Sequence, residues 1–253
     1  MRLITLALLG INFVAYSAHS EQLKGLNFLT EQYPPYNYEQ EGEIKGIAVE
    51  LLQTIQLYSS TPDTPVSIQV QPWPRAYRTA LIKPDTVLFS TTRTPLREEI
   101  FQWAGPISKT RIVVLAKKSK NISISHALEL AQYRIGVIRD DVGEQLLLEA
   151  GVPRDSMVES SIPDTLAKQF LKDRIDLWAY EENVAKWWLK QAGHDPDDYE
   201  AVYVLSEGEL YFAFNLGVDP ATVEWIQQQL DMLKNTHGQD GQTQYQKILN
   251  QYQ

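Results

Sequence analysis

Apolar positions along the chain follow two different periods, and these predict strands and helices in turn. From Val66 to Val70 apolar and polar residues alternate, as in a half-buried strand, whereas Ile47, Leu51, Ile55 and Tyr58 recur at helical spacing. Similar strand-like and helix-like stretches follow one another to the end of the chain. Strands separated by helical stretches of about 10–15 residues predict an α/β fold with mainly parallel sheets.

The same patterns assign the other elements. Strands are predicted at 26–30, 86–90, 111–116, 134–138, 175–179, 202–205 and 210–214. Helices are predicted at 46–58, 75–82, 125–132, 142–150, 164–172, 181–191, from Asp219-Pro220 onward, and in a short final segment ending near Tyr252. No long linker interrupts the pattern, so two lobes would have to be joined by strands or short crossings.

The N-terminus has the three parts of a secretion signal. Arg2 gives a positive start, Leu3 to Ala15 is nearly all apolar, and Ala18-His19-Ser20 offers small residues at a cleavage site. The alternative is a membrane anchor, but the apolar run is shorter than the ~20 residues that a bilayer needs, and Asn12 interrupts it. We therefore predict a signal peptide at residues 1–20 and a periplasmic protein, with secretion to the medium as the alternative.

Composition excludes several classes of function. Lys and Arg number 23 against 32 Asp and Glu, giving a net charge of −9, and such a chain is repelled by the phosphates of nucleic acid. The absence of cysteine excludes disulfides, thiolate nucleophiles and Cys-based metal centres. The four histidines are far apart in the sequence. We expect no metal and no cofactor.

Two arginines follow a predicted buried strand and are candidates for ligand binding. Arg93 and Arg97 come directly after residues 86–90, at the carboxyl end where α/β sheets bind ligands. Arg97 falls in the first turn of a predicted helix, where the helix dipole disfavours a cation. A guanidinium there would bind a carboxylate through two parallel hydrogen bonds. The alternative is a surface arginine paired with Glu98 or Glu99.

Two acidic residues occupy comparable strand-to-helix junctions. Asp141 precedes a predicted helix, and with Glu144 it fits the alternative interpretation of a capping box. Glu181 follows a strand and would accept hydrogen bonds from a ligand ammonium; alternatively it is only an acid favoured by the helix dipole.

Aromatic residues gather in loops of the first part of the chain, at Tyr33, Tyr36, Trp73 and Tyr77. Rings in proline-fixed loops make rigid pocket walls, and ordinary packing is the alternative.

Four stretches of the chain resemble the bacterial extracellular solute-binding proteins of family 3, which serve polar amino-acid ABC transporters. The stretches are 31–36 followed by 44–52, Thr94-Pro95-Leu96-Arg97 followed by 103–106, Arg134-Ile135-Gly136-Val137, and Ile175-Asp176 with an acidic residue five positions after Asp176. Their order and spacing extend the resemblance through nearly the whole mature chain.

The resemblance implies a type II periplasmic binding protein fold, with two α/β lobes joined by two crossing strands and a ligand cleft between them. It places lobe 1 at 21–110 plus 213–253 and lobe 2 at 111–212. It also implies a set of ligand-binding residues. Those residues are Arg97 for the α-carboxylate, Ser90 and Thr92 for the carboxylate or ammonium, Glu181 for the α-ammonium, Tyr33 and Trp73 as aromatic contacts, and Arg75 and Asp141 as further candidates.

The chain departs from the family pattern at one of these positions. Asp140-Asp141-Val142 stands where family members often carry Gly-Thr-Thr or Gly-Ser-Thr, and a carboxylate there repels a ligand carboxylate. A cationic ligand would suit Asp141 better. Glu181 replaces an aspartate and reaches one methylene further.

Together these points predict a monomeric periplasmic binding protein that is not an enzyme. It would capture a small polar solute, an amino acid or a related amine or carboxylate, by hinge closure, and deliver it to an inner-membrane ABC permease. The alternatives are a ligand-sensing module for a receptor and an enzyme resembling cyclohexadienyl dehydratase on the same fold.

Overall fold

Strands and helices alternate through residues 23–59 and 61–252, the part of the chain that the computed structural model describes. The predicted signal peptide lies outside these residues. The strands are β1 Asn27–Thr30, β2 Tyr38–Gln40, β3 Glu43–Lys45, β4 Ile68–Val70, β5 Thr86–Thr92, β6 Gln102–Lys117, β7 Ile135–Ile138, β8 Met157–Ser160, β9 Leu177–Glu181 and β10 Tyr199–Phe214. The α-helices are α1 Ile47–Gln56, α2 Trp73–Ile82, α3 Val142–Glu149, α4 Pro163–Leu171, α5 Glu182–Gln191, α6 Pro220–Asn235 and α7 Gln244–Asn250.

Two long strands connect the two halves of the sheet. The strand order is β4-β1-β5-β10-β6-β9-β7-β8, and the outer strands of each half pair in parallel. The strands β6 and β10, each of 16 residues, lie antiparallel in the middle and belong to both halves. Because both halves share these two strands, the two sheets predicted from the sequence are joined into one eight-stranded sheet. We call the half containing β1, β4 and β5 the first lobe, and the half containing β7, β8 and β9 the second; the predicted lobe limits stay a prediction.

Several elements differ from their predicted extent. Strand β6 begins well before the predicted 111–116, because Gly105-Pro106 hides the strand pattern in a segment that the sheet nevertheless pairs. The predicted helix at 125–132 is a 3-10 helix, Ala127–Gln132, in which Leu130 is the buried residue. One buried side chain gives too little apolar contact to hold a longer helix. The short strands β2, β3 and β8 were not predicted.

The main hydrophobic core extends across both lobes. It includes Phe28 and Leu52 of the first lobe together with Phe170 and Trp178 of the second. Full burial of such side chains stabilises the fold by about 1.5–3 kcal/mol each. A smaller cluster in the second lobe includes Leu147. The strands of the two lobes therefore pack on one shared hydrophobic core, which fixes the positions of their ends.

Close backbone contact fixes the aromatic loop of the first lobe. Gly46 precedes α1 with φ 124°, and a Cβ at this position would lie 2.5 Å from the Tyr36 carbonyl oxygen. Only glycine allows this approach. It positions the loop from Tyr33 to Tyr36 against the start of α1.

Candidate functional site

Polar and charged side chains from both lobes lie where strands end. Glu31 follows β1, Thr92 ends β5, Asp141 lies three residues beyond β7, and Glu181 ends β9. All four are buried. The carboxyl ends of strands are the usual ligand-binding edge of α/β sheets, so this cleft is the candidate site.

Arg97 is the central cation of the cleft and is 1% exposed. Its Nε donates to Gln145 Oε1 at 3.1 Å, its Nη1 to the Thr92 carbonyl at 3.3 Å, and its Nη2 to the Asp140 carbonyl at 3.4 Å. All three acceptors are uncharged, so these bonds orient the guanidinium without neutralising it.

The neighbours of Arg97 exclude the surface-arginine interpretation. Glu98 bonds to the exposed Arg93 and not to Arg97. The Arg97 guanidinium carbon lies 5.2 Å from the ring centroid of Trp73 and 5.1 Å from that of Tyr77. Contact with the electron-rich ring faces stabilises the buried cation. The residue lies in a 3-10 helix, Pro95–Ile100, rather than the predicted α-helix.

The backbone carbonyl of Asp140 joins the two lobes. It accepts hydrogen bonds from Trp73 Nε1 at 2.9 Å, from Arg97 Nη2, and from Gln145 Nε2 at 3.3 Å. Its side chain bonds to Arg78 at 3.3 Å. Trp73, Arg78 and Arg97 belong to the first lobe and Asp140 to the second, so the two sides of the cleft are in direct contact.

Asp141 does not form the capping box that the sequence suggested. It stands at the N-cap of α3 without a side-chain capping bond, and Glu144 instead accepts from the backbone N–H of Asp140 at 2.7 Å. Burial raises the pKa of Asp141 from 3.8 to about 6, opposed by the charge of Arg97 and a hydrogen bond from the Val142 backbone. Because it caps no later turn of α3, the Asp141 carboxyl group remains able to contact a ligand in the cleft.

Glu181 caps α5 and also accepts a hydrogen bond from the first lobe; its contact with a ligand ammonium stays a prediction. Its Oε2 accepts from the backbone N–H of Val184 at 2.8 Å, which caps α5, and its Oε1 accepts from the Tyr36 hydroxyl at 3.1 Å. Asn183 donates to the same Oε1 at 3.4 Å. Burial raises the pKa of Glu181 from 4.5 to about 7 against the effect of these hydrogen bonds.

Glu31 is the site residue that sequence reasoning did not assign. Its Oε2 accepts from the Tyr180 hydroxyl at 3.4 Å. Burial and the nearby Asp141 carboxylate raise the pKa of Glu31 well above its usual range, whereas Arg97 lowers it. The available signal was its position directly after β1, the same kind of position that drew attention to Glu181.

Tyrosine rings form the wall between these carboxyl groups. The Tyr33 ring centroid lies 5.6 Å from that of Tyr36 and 5.7 Å, edge-on, from that of Tyr180. Tyr180 stacks on Trp178 at 5.5 Å. Tyr33 and Tyr180 come from different lobes, so the aromatic wall crosses the cleft.

The remaining predicted residues differ in placement. Ser90 is buried with φ 56°, and its Oγ has no hydrogen-bond partner in the described part of the chain. Thr92 contributes its carbonyl to Arg97. Arg75 is exposed on α2 and lines a surface depression with Arg78 and Lys83, so the structure does not bring it to the cleft.

Among the described residues, no group of three or more His, Asp or Glu side chains is placed to hold a metal ion. No helix within residues 23–59 and 61–252 is long and apolar enough to cross a membrane.

The fold and cleft together define a two-lobed protein with a polar cleft between its lobes. A family model of the bacterial extracellular solute-binding proteins, family 3, matches residues 26–252, and the chain belongs to this family. A search of curated protein sequences found no match. The family membership confirms the resemblance that the sequence motifs indicated.

Solved structures of similar fold include binding proteins and a sensor domain. A histidine kinase sensor domain similar to periplasmic binding proteins has a TM-score of 0.75 and 16% identity, covering 90% of this chain and 95% of its own. An ancestral arginine-binding protein bound to arginine has a TM-score of 0.71 and 20% identity, with coverage of 90% and 97%. An ancestral amino acid-binding protein, described as a precursor of cyclohexadienyl dehydratase, has a TM-score of 0.70 and 19% identity, with coverage of 90% and 94%. These likenesses confirm the predicted two-lobed fold.

Proposed function

We propose that the protein captures a small polar solute, an amino acid or a related amine, in the cleft around Arg97. One observation carries the proposal: a buried guanidinium, bonded to uncharged oxygens, lies near the buried carboxyl groups of Glu31 and Asp141. The buried carboxyl group of Glu181 lies near the same two acids, around the Tyr33 hydroxyl. Buried charges are costly unless they are paired, so a site that keeps them is suited to a ligand that pairs with them.

The charges define which end of the ligand binds where. The Arg97 guanidinium pairs with a ligand carboxylate, and the buried Ser90 Oγ, which has no hydrogen-bond partner among the described residues, is a further candidate contact. The carboxyl groups of Glu31, Asp141 and Glu181 accept from ligand ammonium groups. Burial raises the pKa of each carboxyl group, and a bound cation reverses this by favouring the ionised form. Because the cleft holds three carboxyl groups and one guanidinium, it favours an amine or a basic amino acid as ligand.

The mechanism is hinge closure about β6 and β10. The bonds from Trp73 and Arg97 to the Asp140 carbonyl, and from Tyr36 to Glu181, join the lobes in the closed arrangement. A ligand that touches both lobes adds contacts that only this arrangement offers, and so shifts the population toward it.

In our proposal the closed protein delivers its solute to an inner-membrane ABC permease from the periplasm, as a monomer. The predicted signal peptide and the family both support this location. The predicted lobes, 21–110 plus 213–253 and 111–212, are the bodies that would move. A sensing role for a receptor is the second candidate, favoured by the fold of the histidine kinase sensor domain. A binding assay of the liganded protein distinguishes these candidates: binding to an ABC permease supports delivery, and binding to a receptor supports sensing.

We propose binding without turnover. The cleft does contain Glu181 and Asp141, whose pKa values of about 7 and about 6 are those of general acids or bases. One structural neighbour is a precursor of a dehydratase. Incubation with a prephenate-like substrate tests this alternative, and formation of a dehydrated product would contradict our proposal.

A thermal-shift screen with amino acids, polyamines, dicarboxylates and small peptides tests the proposal. Ligand at 100 times its dissociation constant stabilises the protein by about 2.7 kcal/mol, which raises Tm by about 5–10 °C. We expect a shift with an amino acid or amine that Arg97→Ala or Glu181→Gln diminishes. A full panel without any shift would contradict the proposed ligand class.

A further inference from the structure

A second space, open to solvent, lies beside the cleft. It is a cavity of about 810 Å³ between α1 and α7 of the first lobe and α5 of the second, within the size range of small-molecule sites. Tyr36 lines it while donating its hydroxyl to Glu181 of the cleft. Tyr36 therefore stands between the two spaces, and the cavity is distinct from the surroundings of Arg97.

The charged residues that line this cavity are all lysines. Among the described residues that line it are Lys109, Lys186 and Lys190, and none of the lining residues is an acid. Lys186 pairs with Glu182 at 2.7 Å. The positive charge thus comes from Lys109 and Lys190, both exposed to solvent, in a chain whose net charge is −9. The helix dipole accounts for a lysine in the last turn of α5. Lys109 lies opposite Glu209 in the β6–β10 ladder, where opposite charges are favourable, but forms no ion pair with it.

The other lining residues give the cavity aromatic walls. They include Trp187, Tyr245 and Tyr252 in addition to Tyr36. The Tyr245 hydroxyl donates to the Ile107 carbonyl at 2.9 Å, and the Tyr252 hydroxyl accepts from the backbone of Gly46 at 3.1 Å. The Tyr252 hydroxyl also donates to Glu50 Oε1, so both hydroxyls have partners and the rings are what remains to contact an occupant.

We propose that this cavity binds a small aromatic anion, with its acid group at Lys109 and Lys190 and its ring against Trp187. An aromatic body fits the rings by stacking and edge contact. The two unpaired ammonium groups favour an anion over a neutral or cationic analogue. The site goes beyond the proposed solute cleft, because it uses neither Arg97 nor the buried carboxyl groups.

Three compounds with the same ring test the proposal by titration calorimetry: indole-3-acetate, indole-3-ethanol and tryptamine. We expect indole-3-acetate to bind about tenfold or more tightly than the other two. Lys109→Glu and Lys190→Glu should each weaken its binding by about tenfold or more, because each reverses a charge at the site. Lys172→Glu, an exposed lysine that does not line the cavity, is the matched control and should change binding by less than about twofold.

Circular dichroism checks that each variant is folded before it is titrated. Equal affinity for the three compounds, or a dissociation constant for indole-3-acetate weaker than about 1 mM, would overturn the proposal. So would loss of binding in Arg97→Ala with unchanged binding in both lysine variants, because that result places the acid in the cleft. The first two outcomes leave the proposal for the cleft untouched, whereas the third would add an aromatic anion to the ligands that the cleft accepts.

Discussion

The cleft around Arg97 and the cavity beyond Tyr36 have similar walls and opposite charges. Aromatic rings line both, but the cleft holds three carboxyl groups and one guanidinium, whereas the cavity holds lysines. The cleft charges are buried and the free lysines are exposed. Rings provide contact area for ligands of either sign, so the charged groups decide which ligand each space selects. Binding in the cavity should weaken more with added salt, since exposed charges are screened.

The largest expected effect is that of Arg97→Ala on cleft binding. Truncation removes the cation that pairs with a ligand carboxylate and leaves the nearby buried carboxyl groups uncompensated, so affinity for the best ligand of the screen should fall by about a hundredfold to a thousandfold. Calorimetry measures the change. Arg93→Ala is the matched control, because Arg93 is exposed and pairs with Glu98; it should alter affinity by less than about threefold. Unchanged affinity in Arg97→Ala would make the carboxylate clamp wrong.

The next prediction concerns how the stability of the ligand-free protein depends on pH. The pKa of Glu181 is raised in the folded protein, so the folded state holds its proton more tightly than the unfolded state does. The corresponding stability is present below about pH 4.5 and is lost as the pH rises through about 7. Glu181→Gln mimics the protonated group and keeps an acceptor for Val184, so it should be about 2–3 kcal/mol more stable than the wild type at pH 8 and equal to it near pH 4.

Urea unfolding of both proteins across this pH range gives the difference directly. Other carboxyl groups titrate alike in the two proteins and cancel. A stability difference between the variant and the wild type that does not change with pH would contradict the raised pKa of Glu181.

The sequence predicted the position of the cleft better than its contents. Arg97 and Glu181 were found because each follows a buried strand, and the structure places both in the cleft. Glu31 has the same kind of position but was missed, since nothing in the sequence tells how far a loop turns its side chain inward. The role of Asp140 was not predictable at all, because it acts through a backbone carbonyl and any residue has one.

A third prediction tests whether the charge of Asp141, rather than the shape of the cleft, determines which ligands bind. Asp141→Asn removes a charge that attracts cations and repels carboxylates, and it changes the volume little. Affinity for an amine or basic amino acid should fall by about tenfold, while affinity for a dicarboxylate should rise. Asp140→Asn is the matched control, because that side chain lies outside the cleft on Arg78. Equal effects of the two substitutions would show that Asp141 does not contact the ligand.

Arg75 shows why a family resemblance alone does not identify ligand-binding residues. The residue lies in α2 two positions after the buried Trp73, and the helix turns it to the outer face. A helical period would have placed Ala76 and Tyr77 on the inner face with Trp73. Local geometry, rather than proximity in sequence, decides which residues of such a segment reach the cleft.

The smallest expected effect is that of Trp73→Phe, which tests closure without touching a charge. The variant keeps an aromatic ring near Arg97 but loses the Nε1 donor to the Asp140 carbonyl, a bond that joins the two lobes. The loss of one such bond costs about 1 kcal/mol, so ligand affinity should fall by about fivefold.

Trp103→Phe gives the matched comparison, because Trp103 Nε1 donates to the Glu98 carbonyl within the first lobe. We expect it to lower the stability of the protein by a similar amount and to leave ligand affinity within about twofold. Calorimetry and thermal unfolding of both variants separate the two effects. If Trp73→Phe lowers stability but not affinity, the Trp73 bond forms equally in the empty and liganded protein, and closure is not what the ligand drives.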